Sequence, residues 1–209
     1  MEGEARTSTR DIARAAVRAE LAQVAFDLFR RDGFDNVTVN DLAAAAGVSR
    51  STFLRYFGTK EDAVLGAVDT QGTQVADALR ARPADEDDWT ALRRALDTVT
   101  DPYRQAPVTA LAATRLVTGT PALCARQREK QNTWRVSLAP ALTERNGPPG
   151  PSRSPLALSV KAGAALECLN TALDHWTASE GHLDLVDLLD EAFAALAIGG
   201  CPDCGGGRC

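Results

Sequence analysis

The chain has 209 residues, 44% hydrophobic and 24% charged, with a net charge of −5: ordinary globular composition, room for one medium domain or for a small domain plus a larger one, and not a generally basic nucleic-acid coat. No run approaches the roughly 20 apolar residues of a membrane span, the start Met1-Glu2-Gly3-Glu4-Ala5-Arg6 lacks an apolar signal core, and five cysteines, an odd number, make no secreted disulfide framework. A cytoplasmic protein with no membrane partner is expected, and alanine and leucine without β-branched runs point to an all-α fold.

In chain order, residues 1–10 read as a flexible arm. A helix is expected from Asp11, with Val17, Leu21, Val24, Ala25, Leu28 and Phe29 along one face. Asp32-Gly33 closes it, with Arg30 and Arg31 near its negative end. Thr38 is placed to cap a second helix, with Asp41 three residues on completing a capping box. Leu42 and Ala46 face inward, and Gly47 supplies a turn. Ser49 caps a third helix whose Phe53 and Phe57, four apart, point the same way. Thr59 and Asp62 open a fourth that runs toward Arg80.

Charge is distributed unevenly. Residues 1–60 carry nine Lys/Arg and eight Asp/Glu, leaving an excess of acid downstream, and between Leu42 and Lys60 there are three bases (Arg50, Arg55, Lys60) and no acid. Two short helices around a glycine turn, the second offering basic and hydroxylic side chains beside an inward aromatic pair, fit the major groove of DNA.

Downstream, Arg82 to Asp88 is a break whose acids suit the next helix N-terminus. Asp101-Pro102, Ala106-Pro107 and Thr120-Pro121 punctuate further helices, and Asn146 to Pro155 is the clearest loop. Two helices with heptad-like seams follow: Ala162, Leu166, Leu169, Leu173 and Trp176, then Val186, Leu189, Phe193 and Leu196. Such seams fit a homodimer interface, with Leu166, Leu169, Leu173, Trp176, Val186, Leu189 and Phe193 as its residues; packing within their own domain is the alternative. The divisions expected are 11–65 for the helix-turn-helix domain, 66–198 for a helical ligand-binding and dimerisation domain, and a glycine- and cysteine-rich tail over 199–209.

The string Thr38-Val39-Asn40-Asp41-Leu42-Ala43 … Gly47-Val48-Ser49-Arg50-Ser51-Thr52-Phe53-Leu54-Arg55-Tyr56-Phe57, then Lys60-Glu61-Asp62, closely resembles the N-terminal domain of TetR-type transcriptional regulators. Caps, turn glycine, aromatic pair and following lysine fall at the family's intervals from about Val17 to Leu65, and the Phe29-x-x-x-Gly33-Phe34 pattern precedes them. One departure is Leu54, where the family usually has a tyrosine that touches phosphate. The resemblance implies an all-helical homodimer binding double-stranded DNA at a palindromic operator. It implies that Arg50 and Ser51 meet base edges or phosphates, that Thr52 holds a phosphate, that Arg55 reaches the groove and that Tyr56 grips the backbone. Lys60 would contact phosphate from the next helix start, Thr38 and Ser49 would combine capping with phosphate contact, and Asn40 would reach a base edge. Arg50 or Arg55 could instead be solvated surface arginines. Arg6, Arg10 and Arg14 form either a minor-groove arm or a solvated one.

The segment Arg115-Leu116-Val117 … Thr120-Pro121-Ala122-Leu123 … Arg126, then Trp134 and Leu188-Leu189-Asp190-Glu191-Ala192, shows a weaker similarity to actinobacterial regulators of the mycofactocin-associated type. That branch implies a small apolar, acyl-bearing effector and no cofactor. Trp89, Tyr103, Trp134, His175 and Trp176 are candidates to line its pocket, although aromatics on helical stripes are more often core. Cys201, Cys204 and Cys209 can be read as an unstructured tail, a zinc site short of a fourth ligand, or a thiol pair; Cys124 and Cys168 fall on apolar helix patterns as small core residues. The chain holds only two histidines, His175 and His182, and no Ser/His/Asp or metal-ligand constellation, so it is not read as an enzyme. A ligand-released repressor is the leading reading. A TetR-like activator, a DNA-binding protein without inducer, or one with a thiol- or metal-responsive tail stays open beside it.

Overall fold

The computed structural model describes residues 8–146 and 154–197. Over these it consists of ten α-helices and no strand: α1 (Thr9–Asp32), α2 (Val39–Ala45), α3 (Arg50–Phe57), α4 (Lys60–Arg80), α5 (Asp88–Ala95), α6 (Asp97–Gln105), α7 (Pro107–Thr118), α8 (Pro121–Asn146), α9 (Pro155–Ala178) and α10 (Leu185–Leu196). The fold is all-α, as the composition implies. The chain divides into two compact units, one of Met1–Asp69 with Leu116–Arg128 and the other of Thr70–Arg115 with Glu129–Cys209. Nothing in the local pattern placed Leu116–Arg128 with the N-terminal residues.

In the first unit, Ser8 accepts from the Arg10 amide and caps α1 two residues earlier than expected. Leu21, Ala25, Leu28 and Phe29 are its buried face. Gly33 ends it at φ 83°, its N–H bonded to the Phe29 carbonyl, a backbone state glycine takes without a Cβ clash. Phe29 and Phe34 pack with ring centroids 4.8 Å apart, and α2 packs on both α1 and α3. A second glycine with positive φ, Gly47 at 67°, has open space around it, so the conformation and not crowding selects it.

The second unit is a helical body in which α9 packs on α10 and α5, and α6 on α5 and α10. Here the seam assignment is corrected. Leu166, Leu169, Leu173, Trp176, Leu189 and Phe193 are buried inside the chain's own fold, and Val186 is half-buried. Heptad spacing shows that a face is covered but not by what; here the cover is α5, α6 and the α9–α10 contact itself. Each fully buried leucine contributes about 1.5–3 kcal/mol, and of the two stripes only Val186, half-buried, and Leu196, 50% exposed, keep apolar surface outside the fold. By length and mean hydropathy (1.2 over 18 residues) α9 is apolar enough to cross a membrane, although it holds no uninterrupted apolar run of that length. With 44% of that window inside the body, it has the character of a core helix.

Further differences are local. The break expected at Asp101-Pro102 sits instead at Leu96–Asp97, and Pro102 lies inside α6. The Arg82–Asp88 segment does more than cap. Asp87 caps α5 through the Trp89 and Thr90 amides at 2.9 and 3.0 Å. Asp88 is buried, its carboxylate 3.0 Å from Lys161 Nζ and 3.4 Å from Arg145 Nη2. The Arg145 side chain, 1% exposed, also donates to the carbonyls of Pro83 and Glu86. Loop, end of α8 and start of α9 are thereby tied at one point. Most of the Asn146–Pro155 loop, the first seven residues and the tail with Cys201, Cys204 and Cys209 lie outside the described residues.

Candidate nucleic-acid interface

Each helix of the pair is set by its own first turn. The Thr38 hydroxyl accepts from the Asp41 amide at 3.3 Å and donates to Asp41 Oδ2 at 2.6 Å, and the Thr38 amide donates to the same oxygen at 2.9 Å. These bonds, from the Thr38 hydroxyl first and its amide second, hold the Asp41 carboxyl below its ordinary range. The hydroxyl proton and amide of Thr38 are thus committed to the box. Any phosphate held at this end has to meet the first-turn amides of Val39 and Asn40, which have no partner within a helix. Asn40 is exposed on that turn.

At α3 the hydroxyls form a short relay. Ser49 Oγ accepts from the Thr52 amide at 3.1 Å, donates to Thr52 Oγ1 at 2.9 Å and lies 2.9 Å from Ser51 Oγ. With the Ser49 proton directed to Thr52, Ser51 is the donor to Ser49. The Thr52 proton is then left for an acceptor outside, such as a phosphate oxygen. Phe53 and Phe57 are buried with centroids 5.0 Å apart. This orientation leaves Arg50, Ser51 and Arg55 exposed and Thr52 and Tyr56 half-exposed. The Arg55 guanidinium lies 5.9 Å from the Tyr56 ring centroid, within cation–π range. Leu54, at the family's tyrosine position, is half-exposed with no hydroxyl to offer.

Lys60 is placed differently from its expected role. Its Nζ donates to the carbonyls of Phe34 (3.0 Å) and Val37 (3.2 Å) and lies 4.2 Å from the Phe34 ring centroid. It ties the start of α4 to the α1–α2 loop, which leaves one N–H of the ammonium for anything else. Two supports were invisible locally. The Arg18 guanidinium stands 5.4 Å from the Phe57 centroid and fills the space beside Gly66, where a methyl would come within 2.5 Å of Nη2. Arg126 pairs with Asp62 at 3.4 Å across 64 residues of sequence. Only the i, i+4 recurrence of Arg10, Arg14 and Arg18 hinted that α1 has a basic face.

Of the five pocket candidates only Tyr103 and Trp176 meet. Trp89 stacks on Phe193 (4.4 Å) and donates its indole N–H to the Phe193 carbonyl at 3.0 Å, closing the α5–α10 contact. Tyr103 meets Trp176 edge-on at 5.4 Å, and burial pushes its phenol above the usual range against a hydrogen bond with Thr114. Trp134 is buried against α4, where a Cβ at Gly72 would lie 2.4 Å from its Cδ1. His175 is exposed in a groove of about 160 Å³ on the outer side of α9 and α10, lined also by Thr171, Leu188, Glu191 and Ala195. Four of the five are thus interior or joint residues, and the fifth lies on the surface. Cys168 is buried, 3.5 Å from the Ala192 carbonyl, and Cys124 is half-buried. No cluster of three or more His, Cys, Asp or Glu able to hold a metal occurs among the described residues.

This geometry can be set beside known proteins. Residues 21–66 match the family model of bacterial regulatory proteins of the tetR family, and residues 86–200 match that of the MftR C-terminal domain. The chain is 28% identical over 187 residues (89% of its length, 92% of the relative's) to a candidate mycofactocin biosynthesis transcriptional regulator, MftR, of Mycobacterium tuberculosis. It is 29% identical over 136 residues to the regulator TcmR of Streptomyces glaucescens, covering 62% of this chain and 60% of that one. Its fold is similar to Thermus thermophilus FadR, a TetR family repressor solved with lauroyl-CoA (TM-score 0.55, 19% identity, 90% of this chain and 100% of that one). It is also similar to Bacillus subtilis FadR solved with stearoyl-CoA (TM-score 0.54, 17% identity, 87% and 98%). With the tetR-family model over its first helices and the MftR C-terminal model over more than half of its length, the chain belongs to the TetR family of bacterial transcriptional regulators.

Proposed function

We propose that the protein is a repressor that binds a palindromic operator as a homodimer in the cytoplasm and is released by a small apolar effector held in its helical body. The observation that carries this is the division of α3: Phe53 and Phe57 buried, Arg50, Ser51 and Arg55 exposed beside the outward Tyr56. Arg50 can read guanine bidentately, worth about 1–3 kcal/mol of discrimination, while Thr52 and Tyr56 fix register on the phosphates. Such a unit buries little surface alone, so two half-sites about one helical turn apart supply useful affinity.

With the inner seams consumed, the dimer joint falls to the opposite stripe of α9. Leu156 and Val160 are exposed there, followed at helical spacing by Gly163, Ala164, Glu167 and Thr171. The first turns of that stripe are apolar and then small, while the other side of α9 is covered by its own fold, an arrangement suited to a second copy. The acyl-CoA thioesters bound by the two FadR structures support an acyl-bearing effector here, and lauroyl-CoA is the first to try.

Genomic fragments retained by the protein should yield one inverted repeat. Binding to it should weaken about 10³–10⁵-fold between 50 and 200 mM salt, as for 6–10 phosphate contacts. The double variant Arg50→Ala/Tyr56→Phe should lose preference for the repeat over unrelated duplex. Undiminished preference in that variant removes the assignment.

A further inference from the structure

The inner stripe of α8 within the helical body comprises Lys130, Gln131, Trp134, Leu138, Ala141 and Leu142, all buried. Gln131 is only 4% exposed, yet its Oε1 has no hydrogen-bond partner among the described residues. Native interiors rarely keep a buried amide oxygen unanswered, because it has given up water without a replacement. Packing alone does not call for an amide at this place. Two and three turns further on, the same stripe is filled by Leu138 and Leu142.

The neighbour one turn on gives the surroundings. Trp134 is wedged against the α4 backbone at Gly72, which has no room for a methyl group, so the indole is a fixed apolar plate. Residues three apart on a helix share a face. Gln131 therefore sets an unanswered buried acceptor on the helix face that carries a fixed apolar ring, the pairing of one polar group with an apolar wall that small-molecule sites use. We propose that Gln131 is the polar specificity contact of the effector site, its amide oxygen accepting a hydrogen bond from an N–H or O–H group of an otherwise apolar effector. This rests on the reading that the helical body takes an apolar effector. It adds that the effector carries an N–H or O–H donor and is not a bare hydrocarbon.

The test uses the full chain, Gln131→Met and two matched probes, 1-decanol and 1-methoxydecane, which share chain and oxygen but differ in the O–H. Calorimetry on the wild type should show the alcohol bound about tenfold tighter than the ether. In Gln131→Met the two affinities should converge, with that of the ether no weaker than before. The ligand-free thermal midpoint of the variant should stay level or rise, since an unpaired buried acceptor is removed. Parity of the probes in the wild type, or an unchanged preference in the variant, overturns the assignment while leaving an apolar effector in place. A midpoint several degrees lower also overturns it, by showing that Gln131 holds the fold through a partner of its own. If neither probe binds the wild type, the apolar-effector reading fails and the assignment fails with it.

Discussion

At Lys60 two roles compete for one ammonium group. The family pattern gives it to a phosphate, whereas the fold gives two of its three N–H bonds to the Phe34 and Val37 carbonyls. A half-buried charged donor on backbone carbonyls is worth more than an exposed one, about 1.5–3 kcal/mol for a charged hydrogen bond. Lys60→Met, which keeps the stem, should therefore lower stability by about 1–3 kcal/mol in urea unfolding as well as weaken DNA binding. Arg50→Ala, at an exposed position, should change binding alone, with stability shifted by less than about 0.5 kcal/mol. Equal stability of Lys60→Met and wild type would return the lysine to a purely phosphate-contacting role. The spacing of Lys60 after the aromatic pair was legible, but its partners were not, because both carbonyls belong to a loop more than 20 residues earlier.

Helix ends and helix joints respond to charge in different ways. The Asp41 carboxyl in the α2 capping box is held below its ordinary value by bonds from Thr38. Its contribution is thus present above the unfolded pKa, near 4, and disappears as pH falls through the still lower folded value. The stability difference between wild type and Asp41→Ala should be measurable at pH 7 and shrink as pH falls below the unfolded value; a difference independent of pH would contradict the box. Asp88 stands at the other extreme. Its buried carboxylate faces Arg145 and Lys161, and removing its charge leaves a buried guanidinium short of a counter-ion. Asp88→Asn should cost about 3–5 kcal/mol, read as a shift of the denaturation midpoint at unchanged slope. The box was readable from Thr-x-x-Asp alone. The joint was not, since Arg145 and Lys161 lie 57 and 73 residues away, and from sequence the acids before Trp89 read as ordinary first-turn residues.

For the whole molecule, family membership makes this a transcriptional regulator and not an enzyme, and the proposed homodimer depends on which stripe of α9 meets a second copy. The inner and outer stripes of α9 predict opposite phenotypes. Leu169→Ala, in the interior, should lose about 2–5 kcal/mol of stability. Val160→Glu, on the exposed side, should keep helicity and thermal midpoint at high protein concentration while sedimenting as a monomer and binding the operator far more weakly. If Val160→Glu sediments as the wild type does, the joint lies elsewhere.

The sequence by itself determined the all-helical fold, the capped helix pair and the side of α3 that carries Arg50, Ser51 and Arg55. Each of these depends on contacts within a few residues: caps, a turn glycine, and apolar side chains at helical spacing. Tertiary structure alone decided what covers each apolar stripe and what each buried charge meets. Periodicity gives the direction of a face but not the identity of its neighbour, so the seams of α9 and α10, which read as a dimer interface, proved to be the interior of one chain. The same blindness hid the anchoring of Lys60, the Asp88 joint and the unanswered amide oxygen of Gln131.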